Sequence, residues 1–162
     1  MPATYEPIST QTLGSAAATV TFSSISGSYT DLVVIVAGNK SGTGSSDITW
    51  QANGNTGTNY SQTAIYGAGS VAESDRGSNG TSSRAGRIGT SQSLSVLNFF
   101  NYSNTTTNKT CISKGNVGDG LMIAQAGLFR STSAITSLSF ALATGDNFST
   151  GCVFTLYGIL KA

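Results

Sequence analysis

Apolar residues recur at every second position through most of this chain, the repeat of a half-buried β-strand. Val20 and Phe22 alternate with threonines in residues 19–22, with Ile25 following. Ile48, Trp50 and Ala52 alternate with polar residues, as do Leu138, Phe140 and Leu142. Near the C-terminus Cys152, Phe154 and Leu156 alternate against Val153, Thr155, Tyr157 and Ile159. Residues 31–36 are instead a continuous β-branched run, the pattern of a strand covered on both faces. In residues 94–100, Leu94, Val96, Asn98 and Phe100 fall on one face, and Leu97 and Phe99 on the other. Residues 109–114, with Cys111 between Thr110 and Ile112, read as an edge strand. Residues 121–129 are rich enough in Met, Ile, Leu and Ala to pass for a helix. Gly127 and the Asp119-Gly120 turn signal before them favour a strand. Residues 59–66 are the other helix candidate.

Turn signals separate these segments, at residues 26–29, 116–120 and 144–147. The pattern therefore predicts an all-β, antiparallel, jelly-roll-like β-sandwich of about eight strands, forming one domain over residues 1–162 with an extended N-terminal segment over about 1–13. An up-and-down barrel is the competing architecture, and uneven loop lengths favour the sandwich. Its expected core holds Val20, Phe22, Val34, Val36, Trp50, Leu138, Phe140, Phe154 and Leu156. Residues 37–46 and 101–108 read as polar loops. Residues 67–92 read as a far longer one, in which residues 84–88 are a candidate short strand. A structureless stretch of that length is usually functional, disordered or misread.

Composition narrows the function. Leu, Ile, Val and Phe number 35 of 162 residues, just above the ~20% level below which disorder is expected, so the core should be lean. Eight Lys plus Arg against seven Asp plus Glu leave a formal charge of +1. No basic field exists to attract a phosphate backbone, so nucleic acid is not an expected partner. No apolar run reaches membrane-spanning length, and the N-terminus lacks the basic start and apolar stretch of a signal peptide. Cys111 and Cys152 are too few for a disulfide framework and read as small core residues.

The chain contains no histidine, which removes Ser–His and Cys–His pairs and the usual zinc ligand. The nearest carboxylate pair, Glu73 and Asp75, lies in a Gly/Ser-rich stretch beside Arg76, where solvated charge is the plain reading. Asp119 and Asp146 occupy turns, for backbone reasons. Gly42-Thr43-Gly44 and residues 77–80 lack the Lys-Ser/Thr of a phosphate loop. Trp50, Tyr60 and Tyr66 are candidates for stacking on a sugar, although Trp50 is in phase with Ile48 and so belongs in a core. No catalytic residue, metal site or cofactor is predicted.

The two ends of the chain resemble small structural proteins of tailed bacteriophages. The resemblance rests on Tyr5-Glu6-Pro7-Ile8, residues 12–16, Val20-Thr21-Phe22, Ile25 and Tyr29-Thr30-Asp31-Leu32. At the C-terminus it rests on Phe154-Thr155-Leu156-Tyr157-Gly158-Ile159 and Lys161-Ala162. It implies a non-enzymatic virion component assembled in the host cytoplasm. The expected partners are the major capsid protein or other virion proteins, with a homo-oligomer also open. These residues contain no fibrous shaft, heptad stretch or collagen-like repeat, so a capsid decoration or knob protein is favoured. The alternative is a tail or tail-fibre component that binds a host receptor or glycan. The candidate interface residues are Arg76, Arg84 and Arg87, read as a salt-bridging edge on a solvated loop. Tyr5 and Ile8 are added because they have no place in the alternating core.

Overall fold

The computed structural model describes residues 4–118 and 120–160, and among these every regular element is a β-strand. In chain order the strands are β1 (Tyr5–Thr12), β2 (Thr19–Phe22), β3 (Asp31–Gly38), β4 (Ser46–Ala52), β5 (Tyr60–Ala68) and β6 (Val71–Gly80). They continue as β7 (Ser83–Ile88), β8 (Ser93–Phe100), β9 (Lys109–Val117), β10 (Leu121–Phe129), β11 (Leu138–Leu142) and β12 (Val153–Ile159). One sheet has eight strands in the order β1-β12-β3-β8-β9-β10-β5-β6, and the other has four in the order β2-β11-β4-β7. All pairings are antiparallel. The fold is a jelly-roll-like β-sandwich.

The alternation places the core as expected. All nine anticipated core residues are buried, from Trp50, Leu138, Phe140 and Phe154 at 0% to Phe22 at 3% exposure. The aromatic rings meet at favourable angles. Trp50 stands edge-on to Phe99 at 4.9 Å and to Tyr60 at 5.6 Å, and Tyr60 stacks on Phe129 at 4.6 Å. Such pairs contribute about 0.5–1.5 kcal/mol each beyond area burial. The Tyr60 hydroxyl is satisfied inside, donating to the Asn55 carbonyl and accepting from the Ala52 N–H.

Several expectations give way. The described residues form twelve strands, not about eight. The long loop over residues 67–92 holds the β5–β6 hairpin and β7, and the helix candidate at residues 59–66 is β5. The hairpin turns through Gly69-Ser70, with Gly69 at φ 61°, which a two-residue turn of matching twist requires and glycine supplies without strain. Lys109–Val117 is no edge strand: β9 lies between β8 and β10, deep in the large sheet. Its inward positions carry Cys111, Ser113 and Gly115, small because β7 packs directly over them. The N-terminal segment is β1, hydrogen-bonded along β12 with a bulge at Ile8. Of the turn anticipated at residues 116–120, Asp119 lies outside the described residues. Gly120 N–H donates to the Val117 carbonyl at 3.0 Å, closing the turn.

The closeness of β7 to the large sheet follows from its sequence. Ala85 and Gly86 together face Ile48 in a bulge, and Gly86 adopts φ 89° there. A Cβ on Gly86 would collide with Ser95, and one on Gly127 with Ser83, so the glycines let the two backbones approach. β7 is an edge of the small sheet, yet its free backbone groups are not bare. Gly86 N–H donates to the Gln125 side-chain oxygen, Arg87 N–H to Ser95 Oγ at 3.3 Å, and Gly89 N–H to Ser93 Oγ at 3.1 Å. Serines and a glutamine buried in the large sheet thus satisfy an edge that would otherwise be orphaned.

Candidate docking surface

The eight-stranded sheet has a second face, turned away from the sandwich. The register of its strands puts Leu94, Val96, Asn98 and Phe100 of β8 beside Ile112, Lys114 and Asn116 of β9. These in turn lie beside Met122, Ala124 and Ala126 of β10, then Thr63, Ile65 and Gly67 of β5, then Ala72, Ser74 and Arg76 of β6. Most of the large apolar side chains the chain exposes fall here: Met122 is 70% exposed, Ile65 63%, Ile112 49%, Leu94 46% and Phe100 41%. The surface curves into a groove of about 930 Å³ whose lining includes Ile65, Ala72, Leu94, Val96, Met122 and Ala124. One cation, Lys114, reaches it, and Arg76 stands on the same face at the sheet edge. Neither makes an ion pair with a described residue.

The arginines anticipated on a solvated loop are elsewhere. Arg84 and Arg87 lie on β7 and Arg76 on β6. Arg84 pairs with Asp47 of β4 at 3.3 Å and with Asp75 of β6 at 2.5 Å, tying the overhanging hairpin to the small sheet. Arg87 donates from Nε to Ser45 Oγ at 3.0 Å. These two arginines therefore hold the fold together, because Asp47 is largely buried and needs them. Burial pushes its carboxyl above the usual range, against the opposing pull of Arg84 and Arg87. Glu73 and Asp75 are likewise not loop charges. Both take inward positions on β6, Glu73 accepting from the Tyr66 hydroxyl and Asp75 held by Arg84. Of the three arginines, Arg76 alone presents an unengaged guanidinium.

The N-terminal candidates also separate. Ile8 packs against the core cluster, so it has a place after all. The bulge that inserts it into β1 is what hid it from a strict alternation. Tyr5 is 55% exposed and rests edge-on against Tyr157 at 6.3 Å, at the opposite side of the sheet from the groove. Of the three aromatic candidates for sugar stacking, Trp50 and Tyr60 are fully buried, whereas Tyr66 is half-buried beside the groove with its hydroxyl donating to Glu73.

Two buried lysines escaped the sequence reading. Lys40 Nζ pairs with Asp146 Oδ2 at 2.8 Å and donates to the Thr43 carbonyl at 2.8 Å. Lys109 Nζ donates to the carbonyls of Thr107 and Thr132, pinning two loops, and burial pulls its pKa down. Nothing in the alternation marks these positions, since lysine is rarely placed inside. Cys111 and Cys152 are free and buried, and burial pushes both thiols up.

No protein-family profile matches this chain, and no curated protein sequence does. Among solved structures, the galectin LEC-6 of Caenorhabditis elegans is similar with a TM-score of 0.34 and 11% identity, over 88% of this chain and 90% of that one. The alginate lyase Aly36B, in complex with an alginate tetrasaccharide, gives 0.33 and 10% over 94% and 81%. A marine PL-14 alginate lyase from Aplysia kurodai gives 0.32 and 10% over 85% and 72%. Likeness at this level concerns the arrangement of strands alone.

Proposed function

We propose that this chain is a non-enzymatic structural protein of a virion, docked as a decoration or knob protein on the capsid through the outer face of its eight-stranded sheet. The observation that carries the reading is that face: Ile65, Leu94 and Met122 stand exposed around one groove, and Ile112 stands exposed on the same face. Clustered exposed apolar side chains often mark an interaction surface, and a chain with a formal charge of +1 has little repulsion to keep copies apart. The sequence resemblance at both ends supports a virion as the setting and the major capsid protein or a neighbouring virion protein as the partner. The tail-fibre reading, in which a host glycan is bound, has less support, because Trp50 and Tyr60 lie in the core and leave Tyr66 as the one accessible aromatic of the three candidates.

Capsids assembled without this chain provide the test. The purified protein should co-sediment with them, and Met122→Asp combined with Ile65→Asp should abolish co-sedimentation while leaving the circular dichroism spectrum unchanged. A protein that ignored such capsids and bound intact host cells would overturn the reading in favour of the fibre module.

A further inference from the structure

The four sheet edges are not treated alike. β2 is only four residues long, β1 carries Pro7 and a bulge, and β7 has its outward backbone groups satisfied by Ser93, Ser95 and Gln125. These are the ordinary ways of closing an edge to further pairing. β6 has none of these over most of its length; its guard is charge, Glu73 and Asp75 inward and Arg76 outward, which discourages a like-charged strand and admits one of complementary charge. It runs for ten residues without proline, pairs only with β5, and departs from regular register only near its Gly77–Gly80 end. Its outward positions, Ala72 and Ser74, are short, so the apolar floor behind them at Ile65 is open from the edge.

A second copy is a poor occupant. Antiparallel pairing of β6 with itself must keep inward residues opposite inward ones. Registers centred on Glu73, Asp75 or Arg76 then set each of those residues against its own copy, and the register centred on Ser74 sets Glu73 against Asp75. Like charges directly opposite destabilise a pair. Two copies stacked groove to groove would bring Lys114 and Arg76 of both into one apolar interface, where the carboxylate in the groove lining, Glu73, is already held by the Tyr66 hydroxyl.

We propose that β6 receives an extended segment of the partner protein as a ninth strand of the large sheet. Apolar side chains would lie opposite Ala72 and Ser74 and lean toward Ile65, and a carboxylate would lie opposite Arg76. The inference rests on the docking reading above and specifies its mode: backbone pairing along β6 supplies affinity, and the apolar–apolar–acidic alternation supplies selectivity. The charge match favours a protein segment because Arg76 is exposed and unpaired among the described residues, while the inward carboxylates of β6 are already engaged by Tyr66 and Arg84. A carboxylate opposite Arg76 would form a charge-assisted cross-strand pair on the exposed face.

The test is hydrogen exchange of the full chain, free and bound to capsids assembled without it, together with the variant Arg76→Glu. Slowed exchange along β6 but not β1, with capsid binding by Arg76→Glu weakened about tenfold or more, supports the added strand. Arg76 makes no ion pair with a described residue, so the variant's melting curve should match the parent's. Parent protein that binds capsids with β6 exchanging as fast as before, or Arg76→Glu binding as well as the parent, overturns the strand addition and leaves the docking reading standing. Parent protein that does not bind capsids at all defeats the docking reading, and the inference falls with it.

Discussion

Removing Arg84 strands a carboxylate, and the cost can be worked from its surroundings. Asp47 has 14% of its side-chain surface exposed, its Oδ2 faces Arg84 at 3.3 Å, and its Oδ1 has no hydrogen-bond partner. Breaking a fully buried pair by deleting one member typically costs ~3–5 kcal/mol. Here Arg84 is 37% exposed and Arg87 still acts on Asp47, so Arg84→Ser should cost about 1–3 kcal/mol. The Arg84–Asp75 contact is exposed on both sides and adds less than about 1 kcal/mol to that. Asp47→Asn introduced alongside should recover most of the loss, because the neutral amide needs no counter-charge. The acid side gives an independent check. A carboxyl raised above its unfolded value adds stability below that value and loses it as pH rises through the folded value. The Arg84→Ser deficit should therefore be largest near neutral pH and shrink in acid, where Asp47 is protonated in both states. Urea melts of the four members of the cycle at both acidities measure this. A deficit under about 0.5 kcal/mol at neutral pH, or one that Asp47→Asn does not relieve, would refute the claim that Arg84 holds Asp47 in place.

Two further outcomes are expected. Phe154→Ala should cost ~3–5 kcal/mol in urea melts, since Phe154 is fully buried between Phe148 at 4.9 Å and Phe140 at 6.1 Å, and a loss under about 1 kcal/mol would mean the site collapses around the gap. Hydrogen bonds from Lys40 and Thr144 hold the Asp146 carboxyl below its ordinary value, so its contribution is present above the unfolded value and lost as pH falls through the folded one; Asp146→Asn should flatten the acid limb of the stability profile, and an unchanged limb would count against the pairing.

Where a strand has one apolar face and lies under the opposite sheet, its pattern is plain in the residues. β2, β4, β11 and β12 show it, and their inward residues were all legible. β5 and β6 were not, because the small sheet ends at β7 and leaves the hairpin overhanging. β6 is exposed along nearly its whole length, so nothing selects apolar residues at alternate positions, and a strand made of Ala, Ser, Gly, Glu, Asp and Arg looks like a loop. β7, which the sequence offers only as a candidate short strand at residues 84–88, is faint for the opposite reason. It is packed so tightly that its inward positions before Ile88 are the small Ser83, Ala85 and Gly86, and serine and glycine elsewhere mark turns. The arginines were misplaced with it. A loop assignment made Arg84 and Arg87 look free, whereas strand β7 points them at Asp47, Asp75 and Ser45.

The docking face was half legible. β8 and β10 carry large apolar residues on both sides, Leu94 and Phe100 behind Leu97 and Phe99, and Met122 beside Ile123. A two-faced strand says that both faces are to be covered, but its own residues do not say by what. In folds with helices the second cover comes from the same chain. Here all twelve elements of the described residues are strands, and the four that form the second sheet are spent on the inner face. No element of those residues is left to lie over Ile65, Leu94, Ile112 and Met122. On the docking reading proposed above, the cover is another molecule, and the edge of β6, adjoining the same groove, is where that molecule's backbone would join the sheet.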